Sequence, residues 1–235
     1  MLKVIEAFNS FPDMIYYHNN VNMIDGFSYP VRHRISPYDV QNDKSFHWTP
    51  LRKWRQILRH RGDFNMSSIC IRRSRVIELF NLLDAIEASE DSIIFFLLLE
   101  MSGSFYFDNG TLTLYRIHES DTNTLKPSTA SDKGRQTAVR FYRSRFKTYQ
   151  QLRHPVVKRI FLGYVLDSKF GAYIAGEDTL KPTFREMLIL FSMSLVRPSP
   201  FYLRLLVAAI IYRFSPSFVR KLQAKRTSKR YGILR

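Results

Sequence analysis

Apolar residues open the chain at helical spacing, at Leu2, Val4, Ile5, Phe8 and Phe11, until Pro12-Asp13 breaks the pattern ahead of the β-rich run Met14-Ile15-Tyr16-Tyr17. A helix feeding a strand is predicted. Asp25-Gly26 marks a turn, and the polar, proline-containing stretch from Tyr29 to Pro50 reads as an irregular loop of a length that usually serves function. Leu51 to Arg61, carrying Trp54, is a basic helix candidate. Met66 to Ile71 reads as a short strand ending at Arg72-Arg73, and Val76 to Leu83 as helical. Ser89-Glu90-Asp91-Ser92 then leads into the unbroken apolar run Ile93 to Leu99, which stops at Ser102-Gly103. This predicts a buried helix capped by Ser89 and ended by glycine. Ser104 to Phe107 and Leu112 to Ile117 read as strands around an Asp108-Asn109-Gly110 turn.

Beyond Asp132 the pattern is helical without clear strands. Gln136 to Leu152 is strongly basic, and two later helices are predicted over 201–214 and 217–226, each opened by a Ser-Pro pair that serves as cap and first helical residue. The longest apolar runs, Leu205 to Tyr212 and Ile93 to Leu99, fall well short of the roughly 18 residues a membrane-spanning helix needs. The opening residues run straight into an amphipathic pattern with no secretory h-region.

Charge sharpens this division. The 235 residues carry a net +16. Residues 1–132 hold 14 Lys and Arg against 16 Asp and Glu, whereas residues 133–235 hold 22 against 4. With 45% hydrophobic residues the chain is not globally disordered. Its single cysteine, Cys70, excludes a disulfide framework or a cysteine-based zinc finger, and its apolar neighbours mark it as a small buried hydrophobe.

Two segments carry candidate chemistry. Asp91 is a carboxylate in the first turn of an apolar helix, where the macrodipole keeps it ionised and a fixed position suits a general base. Simple dipole complementarity by Glu90 and Asp91 accounts for the same pattern. In Tyr115-Arg116-Ile117-His118 the period of two puts Arg116 and His118 on one strand face, an arrangement that suits anionic phosphate oxygens. Local ion pairing of Arg116 and capping by His118 remain the structural alternative.

Taken in order, the Arg72-Arg73-Ser74 turn, Glu90-Asp91 before an apolar helix, and Tyr115-Arg116-Ile117-His118 resemble the acceptor half of family-two glycosyltransferases of the GT-A fold. The resemblance covers residues 1–125. It implies an α/β chain with a partial GT-A type mixed sheet and flanking helices, followed over 126–235 by a mostly helical basic region that is membrane-associated. It implies Asp91 as the base that takes the acceptor hydroxyl proton, Glu90 in support, and Arg116 and His118 against the donor diphosphate or the loop closing over it. The partners implied are a nucleotide sugar and an acceptor glycan or lipid-linked sugar. The complete enzyme of this family uses a divalent metal, Mg or Mn, held by an Asp-x-Asp motif that is not present in this chain. The resemblance therefore also implies a truncated transferase or one half of a split enzyme whose donor-binding half lies on a separate chain.

Phe201, Leu205, Ala208, Ala209 and Tyr212 form an apolar stripe, and Arg204, Arg213, Arg220, Lys221, Lys225 and Arg226 surround and follow it. This is the pattern of an interfacial helix, and it predicts peripheral attachment to an anionic membrane at the cytoplasmic face. A non-catalytic membrane-binding or nucleic-acid-binding protein descended from a transferase is the alternative. Nucleic acid is the weaker partner, because no recognised binding module accompanies the charge.

Overall fold

The computed structural model describes residues 2–24, 27–30, 46–48, 66–83, 86–116 and 132–196, together with Val207, Ile210, Ile211, Phe214, Ser215, Ser217 and Phe218. The predicted helix at 51–61, His118 and the cations from Arg204 to Arg226 lie outside the described residues. Two compact units divide the chain, Met1–Glu119 with Leu152–Val157, and Ser120–Gln151 with Lys158–Arg235.

The first unit is α/β. Helix α1 (Leu2–Ser10) leads through Pro12 into β1 (Met14–Ile24), as the apolar spacing predicts. A four-stranded mixed sheet forms in the order β2-β4-β1-β3, with β2 at Phe46–Trp48, β3 at Ile69–Ile71 and β4 at Ser104–Arg116. The central pair β1 and β4 is parallel, and the short edge strands β3 and β2 run antiparallel to β1 and β4 respectively. Parallel strands buried on both faces need apolar residues without alternation, and Met14, Ile15, Tyr16, Tyr17, Phe105 and Phe107 are all buried.

Register assigns the two faces. Tyr16 lies opposite Phe105 and His18 opposite Phe107 on one face, while Tyr17 lies opposite Tyr106 and Asn19 opposite Asp108 on the other. The first face takes α3 (Glu90–Leu98), whose Phe95 ring meets Tyr16 and Phe105 at 5.3 and 5.7 Å between centroids. The second takes Lys3 of α1, bonded to Asp108 at 2.8 Å, and Phe11 just after the helix, stacked on Tyr106 at 5.6 Å. Helix α2 (Arg73–Leu83) joins β3 to the segment before α3, and Arg72 at its start anchors the junction by donating Nε–H to the Met14 carbonyl at 2.8 Å. The turn into β4 requires glycine, since Gly103 has φ 141° and a Cβ there would lie 2.5 Å from Ile15 Cγ2.

Four local expectations are corrected. Residues 104–116 form one continuous strand and not two strands around a turn. Asp108-Asn109-Gly110 is a bulge, where pairing passes from Asn19↔Asp108 to Asn20↔Thr111, and the parallel partner β1 continues on both sides of it. The stretch read as loop over Tyr29–Pro50 contains β2, which pairs with β4. Met66–Ser68 is a 3-10 turn, leaving three residues for β3. Ser89 precedes α3 in the left-handed region, at φ 69° and ψ 34°, and makes no side-chain cap.

The second unit is helical among the described residues. Helix α4 (Asp132–Gln151) and most of α5 (Pro155–Ile174) are followed by a 3-10 turn, Asp178–Leu180, and by α6 (Phe184–Val196). Leu166, Phe170, Tyr173 and Ile174 of α5 and Leu190 of α6 form its apolar core, with Met187, Ile189 and Ile211 packed against it. A reciprocal cap starts α6: Thr183 Oγ1 accepts the Glu186 amide at 3.2 Å and Glu186 Oε2 accepts the Thr183 amide at 2.8 Å. Lys169 Nζ bonds the same carboxylate at 2.7 Å and ties α5 to α6.

Candidate functional site

Helix α3 forms because seven consecutive apolar residues can be buried all round on the sheet, and Ile93 to Leu99 are all buried. Its charged end must face outward, which sets Glu90 exposed and Asp91 half-buried in the first turn. With Ser89 in the left-handed region its side chain makes no cap, and its carbonyl accepts the Ile93 amide at 3.0 Å. Asp91 takes up part of the capping role, since its Oδ1 accepts the Ser92 amide at 2.8 Å. That bond fixes the position of the carboxylate in the first turn of the helix, where the N-terminal end of the macrodipole favours negative charge.

Of the other sequence-predicted residues, Arg116 is the last residue of β4, in register with Ile24 of β1. It stands 25 positions beyond Asp91 in the chain, at the far end of the strand that follows α3. Among the described residues no group of three or more His, Cys, Asp or Glu side chains could hold a metal ion.

The strongest electrostatic arrangement in the sheet unit is one the turn-like sequence concealed. Asp108 is fully buried in the bulge of β4 and accepts hydrogen bonds from Lys3 Nζ at 2.8 Å, the Gly110 amide at 2.7 Å and the Tyr17 hydroxyl. Burial alone would raise this carboxyl, but the Lys3 ammonium with the Tyr17 and Gly110 donors holds it below the usual carboxylate range. Burial and the same contact push Tyr17 far above the ordinary phenol value, so it acts as a fixed donor. Nearby, Asn19 Nδ2 donates to Thr113 Oγ1 at 3.0 Å, and His18 Nε2 lies 3.1 Å from Ser68 Oγ. The Asp108 carboxylate is committed inward, which suits fastening α1 to the sheet. Asp108-x-Gly110 was a legible signal for a side chain that bonds its own backbone two residues on.

Cys70 is half-buried in β3 and not in the core that the sequence suggests. Burial pushes its thiol up, keeping it protonated and poor as a nucleophile. Among the described residues no helix is long and apolar enough to cross a membrane.

In the helical unit Arg145 Nη1 donates to Ser168 Oγ at 2.8 Å and to Asp167 Oδ2 and the Tyr164 carbonyl at 3.2 Å, its guanidinium resting over the Phe141 and Tyr164 rings. This basic, aromatic pairing is internal. Comparison with family models, with curated proteins and with solved structures gives no match to this chain.

Proposed function

We propose that the chain supplies the acceptor side of a family-two-like glycosyltransferase of GT-A type, in which Asp91 activates an acceptor hydroxyl. The observation that supports this reading is the position of Asp91: a half-buried carboxylate held by the Ser92 amide at the mouth of a buried helix packed on the sheet, in an element order of strand, basic turn, helix, Glu-Asp, apolar helix and Tyr-Arg-bearing strand. In the reaction Asp91 takes the hydroxyl proton and the acceptor oxygen bonds to the anomeric carbon of the donor. The bond from that carbon to the diphosphate breaks, and the nucleoside diphosphate leaves with the electron pair. Glu90, exposed beside it, supports the local field. Arg116 and His118 contact the departing diphosphate, where a guanidinium and an imidazolium would stabilise developing charge.

Residues 199–226 hold the chain at an anionic leaflet in this reading, which suits a lipid-linked acceptor. The test is sugar transfer from nucleotide sugars to glycan and lipid-linked acceptors, measured with the full chain alone and together with a donor-binding half. Asp91→Asn should lower turnover about 10²- to 10⁴-fold while leaving nucleotide-sugar binding nearly unchanged. Glu90→Gln should do less. Turnover of Asp91→Asn within about twofold of the parent would remove Asp91 as the base. A chain that binds vesicles yet never binds or transfers a sugar in either setting would favour the non-catalytic reading.

A further inference from the structure

Helix α4 has two unlike faces. Ser144 and Thr148 are buried on one side, where Arg145 reaches Asp167 and Ser168 of α5. On the opposite side Gln136, Arg140, Arg143, Lys147 and Gln150 are exposed, and their spacing of four, three, four and three residues aligns them as one stripe. No apolar side chain interrupts it. From Arg140 to Lys147 the three cations span about 10 Å along the helix axis. Phe146 borders the stripe, 40% exposed while stacked on Tyr142 at 5.7 Å between ring centroids.

Like charges three and four apart on a helix repel, so the stripe costs stability until an anion lies along it. The acids of the same unit are engaged elsewhere: Asp132 pairs with Arg135, Asp167 with Arg145 and Glu186 with Lys169, and Glu177 accepts the Thr179 hydroxyl. Among the described residues none of these carboxylates pairs with Arg140, Arg143 or Lys147. The chemistry of the stripe selects among polyanions. Guanidinium groups match phosphate oxygens with paired N–H donors, and the amides of Gln136 and Gln150 can donate to the same oxygens. A bilayer would meet the charge but find no apolar side chain on the stripe to take up. Phe146 offers a flat ring on which an unpaired base stacks while the phosphates of its strand lie over the cations. An acidic peptide supplies the charge without that base.

We infer that the outer face of α4 is a docking surface for single-stranded nucleic acid, with Arg140, Arg143 and Lys147 on the phosphates and Phe146 against a base. The surface is independent of glycosyl transfer and of the membrane attachment proposed for residues 199–226. It reads no sequence, because phosphate contacts and stacking leave the base edges untouched.

The test uses the full chain and fluorescein-labelled oligo(dT), with binding read by anisotropy over a range of salt. Arg140→Gln, Arg143→Gln and Lys147→Gln together should weaken binding at least about tenfold at low salt and lower the slope of log affinity against log salt by about 2, roughly 0.7 for each cation. Arg159→Gln, Lys181→Gln and Arg185→Gln together remove the same charge from exposed positions off the stripe and should do much less. Phe146→Ala should weaken oligo(dT) binding about fivefold and Phe146→Tyr should restore it, while duplex DNA, whose bases are already stacked, responds little to either. Circular dichroism should match the parent in every variant, since the replaced side chains are exposed. A parent that does not bind oligo(dT) at low salt overturns the inference. So does a stripe variant within about twofold of the parent, or an equal loss from the two charge sets, which would show that net charge alone is read. If the stripe variant keeps oligo(dT) but loses vesicles containing phosphatidylglycerol, the face belongs to a membrane and the inference falls. It falls too if Phe146→Ala is neutral and duplex DNA binds as tightly as oligo(dT).

Discussion

In the sheet unit a carboxylate, Asp108, is wholly removed from water and relies on three converging donors, whereas in the helical unit Asp167 and Glu186 keep 29 and 24% of their side chains exposed while pairing with Arg145 and Lys169. Both arrangements join a helix to its neighbour. They differ in how much water backs them up. A half-exposed ion pair that loses one partner is resolvated at modest cost, while a buried network that loses its only acceptor strands donors that water cannot reach. Among the described residues, then, the sheet unit depends on one buried carboxylate, while the ion pairs of the helical unit keep some contact with water.

The sharpest way to break the comparison is Asp108→Ala. It leaves the buried Tyr17 hydroxyl and the Gly110 amide without their acceptor, and the half-exposed Lys3 returns to water cheaply. A loss of about 3 kcal/mol is expected in the sheet unit, read from amide exchange at β1 and β4, with α5 protection little changed. Equal loss in both units would show that they unfold as one. Glu186→Gln should cost about 1 kcal/mol in the helical unit, because the Thr183 cap survives in part while the Lys169 pair is lost. At the bottom of the scale, Arg75→Gln removes an exposed pair with Glu78 at spacing three and should change urea unfolding by less than about 0.5 kcal/mol.

Acid sharpens the same comparison. Asp108 and Glu186 are each pushed up by burial but held below the ordinary carboxylate range by their donors, Lys3, Tyr17 and Gly110 for the first and Lys169 and Thr183 for the second. The folded chain therefore binds fewer protons there than the unfolded one. Their stabilisation is complete above the unfolded value of about 4 and is lost as pH falls through the folded values. Asp108 is the more buried, so protection in β1 and β4 should decline with acid more steeply than in α5. Asp108→Asn should flatten that decline. A slope unchanged in the variant would mean that other groups govern acid unfolding.

Local pattern and tertiary outcome agree where a segment's burial is one-sided or total. The spacing of Val4, Phe8 and Phe11 and the break at Pro12 place α1 and the start of β1, and the unbroken run Ile93 to Leu99 demands the all-round burial that α3 receives. Thr183-x-x-Glu186 ahead of an apolar run marks the start of α6 with a capping-box spacing that hydrophobicity alone does not locate. Helix α5 was less legible. The two residues just before it are held by Glu100, which accepts the Arg153 amide at 2.8 Å and the His154 amide at 3.0 Å across more than fifty residues. The same limit applies to the candidate site, where Asp91 is legible as a first-turn acid but its bond to the Ser92 amide follows from Ser89 turning left-handed.

By itself, then, the amino-acid order determined the α/β-then-helical division, the buried helix with its acidic mouth, and the charge carried by residues 133–235, because periodicity, burial demand and charge are properties of neighbours in the chain. Only the tertiary structure decided that Asp108-Asn109-Gly110 would bulge and not reverse. A local turn preference worth a fraction of a hydrogen-bonded ladder yields when β1 offers partners on both sides of the turn and when Lys3 and Tyr17, 105 and 91 residues away, bury the carboxylate that would have faced water at a hairpin tip.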